Sequence, residues 1–226
     1  MSDKANLSNA ELELTQRIQM HFPRGVLSAE VLKQWNGCPA EIITAAVAKV
    51  FGASLEAHKV DLRFAPLTTF QFTVPKDYNH PTQLASFAKE NRKKFYFYND
   101  NITDRNFAKV TNKLVPGKTY EAKIFKITKR VTSEDCLAFR KKTQKAIFVG
   151  AQGISVVWQQ AKEQFPKGKW TVSFDEKDAF WQDANGRRGV PRVGRNVGDG
   201  WFFDLGRFEG GWDDDCCLLC LFDLSA

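Results

Sequence analysis

The sequence predicts an α+β fold: an N-terminal three-helix unit, then a mixed, mainly antiparallel sheet with short packed helices. Three observations carry this expectation. Between residues 7 and 52 apolar side chains recur at helical spacing between breakers, whereas from Val60 onward short alternating runs take over. The change near Glu56 to Lys59 divides the chain into a small helical unit, residues 1–58, and an α+β domain, residues 59–226. Finally, Lys145 to Asp175 reads as strand, helix and strand in one uninterrupted pass. Hydrophobic residues at 43% and charged residues at 26% are ordinary for a globular chain able to bury a core.

In the N-terminal unit, Ser8 with Glu11 has capping-box spacing, and Leu14, Ile18 and Phe22 follow on one face. Phe22-Pro23-Arg24-Gly25 breaks the chain. Leu27 and Leu32 flank Ser28 as a hydrophobic staple, and Asn36-Gly37 closes the second helix. Pro39 suits the first turn of a third, whose inward face is Ile43, Ala46, Val47 and Val50. A helix-turn-helix reading fails on chemistry. The outward residues Ala40, Glu41, Thr44, Ala45, Ala48 and Lys49 offer one cation and no Asn, Gln or Arg for base edges. The unit reads instead as a docking or capping element.

Beyond it, Phe70, Phe72 and Val74 alternate with Gln71 and Thr73, a strand that Pro75 closes. Pro81 to Asn91 is a helix with Leu84, Phe87 and Ala88 inward, and Phe95 to Tyr98 suits a strand buried on both faces. Thr103 is placed to cap a helix carrying Phe107, Val110 and Leu114, stopped by Pro116-Gly117. Tyr120 to Ile127 is a strand, and Thr132 with Asp135 makes a capping box for a helix running to Lys141. Ala146 to Val149 is a short buried strand. Ile154, Val157, Trp158, Ala161 and Phe165 then form the apolar face of a helix ended by Pro166 and Gly168. Trp170, Val172 and Phe174 alternate with Thr171, Ser173 and Asp175 as a half-buried strand. Asp183-Ala184-Asn185-Gly186 turns the chain, and Trp201 to Leu205 and Cys216 to Phe222 are the last two strands.

The composition narrows the class of protein. No run approaches the roughly 18 apolar residues of a membrane helix, and the first sixteen residues have neither a basic start nor an apolar stretch. Five cysteines in no disulfide-like spacing fit a reducing compartment, so a cytoplasmic protein with no membrane partner is expected. The net charge of +7 is unevenly spread. Lys89 to Lys145 holds sixteen Lys and Arg against six acids, while from Asp199 onward seven acids face only Arg207. Such asymmetry provides a basic face for an anionic partner, or two halves that attract each other.

Five groups of residues are candidates for chemistry. Gly150, Gln152 and Gly153, between strand and helix, offer backbone N–H groups to an anion, although glycines also serve a tight turn for its own sake. Cys136 in a helix first turn could act as a nucleophile with His80 as base, but Glu134 and Asp135 oppose the thiolate, and burial as a small apolar side chain is the competing reading. Cys217 and Cys220 form a C-x-x-C inside an apolar strand without a second ligand pair, so no metal and no cofactor is expected. The C-terminal carboxylates match no calcium loop, and Asp213 to Asp215 read as charges that keep an apolar strand from mispairing. Lys93, Lys94, Lys126, Arg130, Lys141 and Lys142 flank aromatic or capped elements, and interleaved rings and cations are what single-stranded nucleic acid requires. The same pattern also arises from core rings with lysines on the wet faces of their elements.

The segments TFQFTVPKDYNHPTQLASFAKE, KLVPGKTYEAKIF, VTSEDCLAF, VGAQG, FPKGKWTVSFDEKDAFW and CLLCLFD, spanning residues 69–226, resemble a set of uncharacterised bacterial proteins. The resemblance implies that this part of the chain is one inherited unit. It brings no activity and no functional residue with it. The functional expectation is a non-enzymatic binding module for a protein or an anionic partner. The alternatives are a hydrolase using Cys136 or the C-terminal carboxylates, and single-stranded nucleic-acid binding through residues 89–145.

Overall fold

The computed structural model describes residues 61–110, 112–143, 146–176 and 179–224. Chain contacts separate Met1–Lys59 from Val60–Ala226, and the architecture below is that of the second unit. It is built on one large mixed sheet whose strands run in the order β1-β3-β11-β6-β8-β9-β2, with β5 beside β11 and β7 beside β8. The strands are β1 Phe64–Thr73, β2 Phe95–Tyr98, β3 Thr119–Ile127, β4 Val131–Thr132, β5 Ala146–Ile147, β6 Lys169–Val172, β7 Trp181–Gln182, β8 Arg188–Arg195, β9 Trp201–Arg207, β10 Gly211–Trp212 and β11 Cys216–Asp223. Three α-helices accompany them: α1 Gln83–Asn91, α2 Ser133–Lys142 and α3 Gly150–Ala161. A small separate ladder joins β4 to β10.

This corrects the expected fold class. The described residues form a large mixed sheet with three helices, not an α+β arrangement led by a three-helix unit. Two parallel pairs, β6 with β11 and β2 with β9, lie inside the sheet and join strands far apart in the chain. Alternation within single strands carries no information about such long crossovers. The helices expected over residues 1–58, and the boundary at 58/59, lie outside the described residues.

Register assigns each strand residue to a face, because directly paired side chains project to the same side. One face carries Ala122, Ile124, Cys217, Leu219, Leu221, Val193, Trp201 and Phe203, which form one apolar cluster with Leu84 and Phe87 of α1 and Ile154, Val157 and Trp158 of α3. The other face carries Phe125, Leu218, Cys220 and Phe222, packed with Cys136 and Leu137 of α2. Ser133 fastens α2 there, since its hydroxyl donates to the Phe208 carbonyl at 2.6 Å and accepts from the Trp212 indole N–H at 2.8 Å.

Several elements take the form that their local chemistry dictates. The Thr132 hydroxyl accepts from the Asp135 N–H at 3.1 Å while the Asp135 carboxylate accepts from the Thr132 N–H at 2.9 Å, a complete capping box. The Asp183 carboxylate accepts from the Asn185 and Arg187 N–H groups and closes the turn between β7 and β8.

Others depart from expectation. Residues 103–110 form turns, not a helix, although Phe107 and Val110 are buried. Here the side chains divert the backbone. Thr103 Oγ1 accepts from Asn106 N–H, the Asn106 amide donates to the Asn101 carbonyl, and Asp104 instead caps α1 by accepting from Leu84 and Ala85 N–H at 2.9 Å each. The strand expected to run to Asp175 ends at Val172, and no wet face follows from its alternation, since Thr171, Ser173 and Asp175 are as buried as Val172 and Phe174. The strand Phe95–Tyr98 is not buried on both faces either.

Candidate functional site

The reason for that last departure defines the most conspicuous surface of the molecule. Phe95 pairs with Trp201 and Tyr98 with Phe203, but the two residues between them face the single residue Phe202. This bulge lets Phe95 and Tyr98 both point into the α1–α3 cluster while Tyr96 and Phe97 emerge on the opposite side. Tyr96 is 86% exposed and Phe97 47% exposed. Beside them on the same face stand Phe202 of β9, Gly194 of β8 and Trp170 of β6, which are mutual partners in register. The Tyr96 and Phe202 rings lie 5.5 Å apart between centroids, and those of Phe202 and Trp170 5.9 Å apart. A row of rings thus crosses four strands on a half of the sheet face that α2 does not share.

Gly194 makes the row possible. A Cβ at this position would meet the Trp170 ring at 2.8 Å, so only a glycine lets the indole lie over β8. Arg192 stacks its guanidinium 4.1 Å from the Trp170 ring centroid and donates to Asp204 at 2.7 Å, and Asp204 also accepts from the Asn99 amide at 3.0 Å. Between Trp170, Phe202 and the β8–β9 turn lies a recess of about 220 Å³, bordered by Lys169, Arg195, Asn196 and Val197. Asp199, in the left-handed conformation at φ 64°, ties that turn by accepting from Arg195 and from Lys167 at 2.9 Å each.

The six cations singled out in the sequence do not share one place. Lys93 and Lys94 are exposed in the 3-10 turn Arg92–Lys94 that leads directly into β2, one residue short of the ring row. Lys126 is exposed on β3, where it pairs in register with Cys217 and so lies on the α1–α3 face. Arg130 precedes β4 and lies against Gly211, while Lys141 and Lys142 are exposed at the end of α2.

Gly150, Gln152 and Gly153 are buried and belong to the first turn of α3, not to a loop ahead of it. The place an anion would take beside Gly150 holds the protein's own Asp175 carboxylate, 2.0 Å from where a Cβ of residue 150 would be. Gly150 also has φ +42°, which independently favours glycine. Gln152 donates to the Phe107 carbonyl at 3.2 Å. Asp175 is fully buried, neither of its oxygens has a hydrogen-bond partner, and burial raises its pKa to about 7 against the lowering influence of Arg140. Arg140 is itself buried and donates to the Phe174 and Ile147 carbonyls, leaving its Nε without a partner. The same burial lowers its pKa.

The nucleophile candidates are separated. Cys136 lies in the α2 cluster, where burial pushes its thiol well up, whereas His80 bonds Tyr78 through Nδ1 at 2.7 Å, and Tyr78 belongs to the α1–α3 cluster. Burial lowers the His80 pKa. Cys217 and Cys220 point to opposite faces of β11, an odd separation along a strand, and burial raises both thiols to about 11. The C-terminal carboxylates are distributed among separate cations: Asp204 with Arg192, Glu209 with Arg188, Asp199 with Lys167 and Arg195. Among the described residues no group of three or more His, Cys, Asp or Glu is arranged to hold a metal, and no helix is long and apolar enough to cross a membrane.

Comparison with known proteins gives no match: neither a family model, nor a curated protein, nor a solved structure corresponds to the chain. The site therefore rests on its own geometry. Sequence reasoning singled out Lys93 and Lys94 but missed the ring row beside them, because Tyr96, Trp170 and Phe202 stand in three separate stretches. The legible signal was Gly194 in R-V-G-R, a glycine inside a strand pattern, which marks a close approach to the backbone.

Proposed function

We propose that the protein is a cytoplasmic, non-enzymatic binding module that takes its partner on the open half of the sheet. The observation that carries this reading is the row Tyr96–Phe202–Trp170. Tyr96 and Phe97 are left in water, with Phe202 and Trp170 half-buried beside them, where the register of the same strands buries Phe95 and Tyr98, and contiguous exposed apolar surface of this kind marks interaction sites. The row is held rigidly. Its strands are central or bulge-locked, Gly194 seats Trp170, and the Asn99–Asp204–Arg192 chain fixes the guanidinium above the indole. A hydrolase built on Cys136 gains no comparable support, because its thiol is buried and held protonated.

Oxidative footprinting tests the reading even while the partner is unidentified. In a lysate of the source cells, Tyr96, Phe97 and Trp170 are expected to be labelled several-fold more slowly than in the purified protein. Labelling of the exposed Leu62 and Val115, which lie outside the ring row, should stay unchanged and so controls for the medium. Equal labelling of the rings in both settings would overturn the proposal.

A further inference from the structure

We infer that the partner on this face is single-stranded nucleic acid, its bases stacked along Tyr96, Phe97 and Phe202 and its phosphates met by Lys93 and Lys94 at the β2 end of the row. The inference rests on the binding-module reading above.

Four features select this ligand. First, apart from Val197 at the rim, the apolar groups offered on the open face are rings, and ring faces accept any base without hydrogen-bond readout. Second, the centroids are 5.5 and 5.9 Å apart, wider than the ~3.4 Å rise of a stacked strand, so only a strand free to stretch and unstack can follow them. A duplex hides its base faces and cannot. Third, the charges suit a polyanion with a defined path. Lys93 and Lys94 stand exposed where the chain enters β2, whereas at the other end Lys169 donates to the Asp214 carbonyl and Arg195 to Asp199 and the Phe165 carbonyl, so the phosphates are met at the β2 end. Asp199 and Asp204, the carboxylates between, are each bound by an arginine. Beyond Trp170 the run Asp213 to Asp215 repels phosphate, so the strand leaves over β2 and not over β11. Fourth, the recess of about 220 Å³ is smaller than the roughly 300–1,000 Å³ of pockets that enclose a drug-sized ligand, and with Trp170 on one wall it suits a single planar ring.

Fluorescence anisotropy with labelled 15-mers of dT and U, and with a 15-base-pair duplex, tests this at low and physiological salt. The intact protein is expected to bind both single strands, to prefer them to the duplex, and to lose affinity steeply as salt rises. Phe202→Ala and Tyr96→Ala should each weaken binding by roughly 5- to 160-fold, the range of one lost base–ring stack. Changing Lys93 and Lys94 together to Glu should weaken binding and reduce the salt slope by about two. Because Tyr96 is 86% exposed, Tyr96→Ala keeps the native melting temperature, which separates lost binding from lost folding. Three results overturn the inference: no saturable binding of either 15-mer at low salt, affinity unchanged in both ring variants, or equal affinity for the duplex. The footprint distinguishes this failure from failure of the module itself. Protection of Tyr96 that survives nuclease treatment of the lysate means a protein occupies the face, which removes nucleic acid and leaves the binding module standing.

Discussion

A carboxylate in the protein interior, without a hydrogen-bond partner, costs stability whenever it is ionised. Asp175 is in that position, beside the Gly150 turn and near Arg140, whose terminal nitrogens donate to the Phe174 and Ile147 carbonyls instead. Its pKa is raised from 3.8 to about 7, so between those values the unfolded chain releases a proton that the native state keeps. Stability therefore falls as pH rises from about 4 to 7, and the full cost is present above pH 7. Asp175→Asn is expected to be more stable than the parent at pH 8, by up to about 4 kcal/mol, with the difference shrinking toward pH 4. Urea unfolding at the two pH values measures this, and an identical pH dependence in both proteins would show that Asp175 is ionised throughout. In the sequence, alternation with Val172 and Phe174 puts Asp175 on a wet strand face. Period two says which residues share a side, but not that another layer covers both sides.

Among the elements, α3 is the best-defined piece of the interior. Trp158 is 2% exposed and meets the rings of Phe95 at 4.8 Å and of Phe87 and Trp201 at 5.5 Å each, so it joins both helices to the sheet. Its indole N–H has no partner, and its removal leaves a cavity without breaking a hydrogen bond. Trp158→Ala should destabilise by ~3–5 kcal/mol, read as a lowered denaturation midpoint, and an unchanged midpoint would contradict this packing. The inward face of α3, the capping box of α2 and the Asp183 turn were all legible, because each depends on residues within a few positions of one another. The failures have the opposite character. Residues 103–110 lose their helix to a cap that Asp104 gives α1, about twenty residues back, and Tyr96 and Phe97 turn outward through a bulge set by pairing with β9. Neither influence is written in the segment it governs.

At the scale of the molecule, chain contacts set Val60–Ala226 apart from Met1–Lys59, and among the described residues both faces of the sheet carry an apolar cluster. A chain of residues 60–226 is therefore expected to unfold in one cooperative thermal transition, within a few degrees of the full-length protein; a broad or absent transition by calorimetry would show that the preceding segment completes the fold. The uneven charge of the sequence was visible at once, yet its meaning was not, since Lys93, Lys126 and Lys141 are sent to different places by the topology. Topology also governs when the molecule can form at all. β11 lies between β3 and β6, and among the described residues no other strand joins the two sides of the sheet. While the chain is being made, β3 must wait for the roughly 90 residues that precede β11, about 5–20 s of synthesis, with one edge unpaired. That open edge exposes Ile124 and Phe125 to whatever strand arrives first. A slow codon run late in the message would lengthen that exposure.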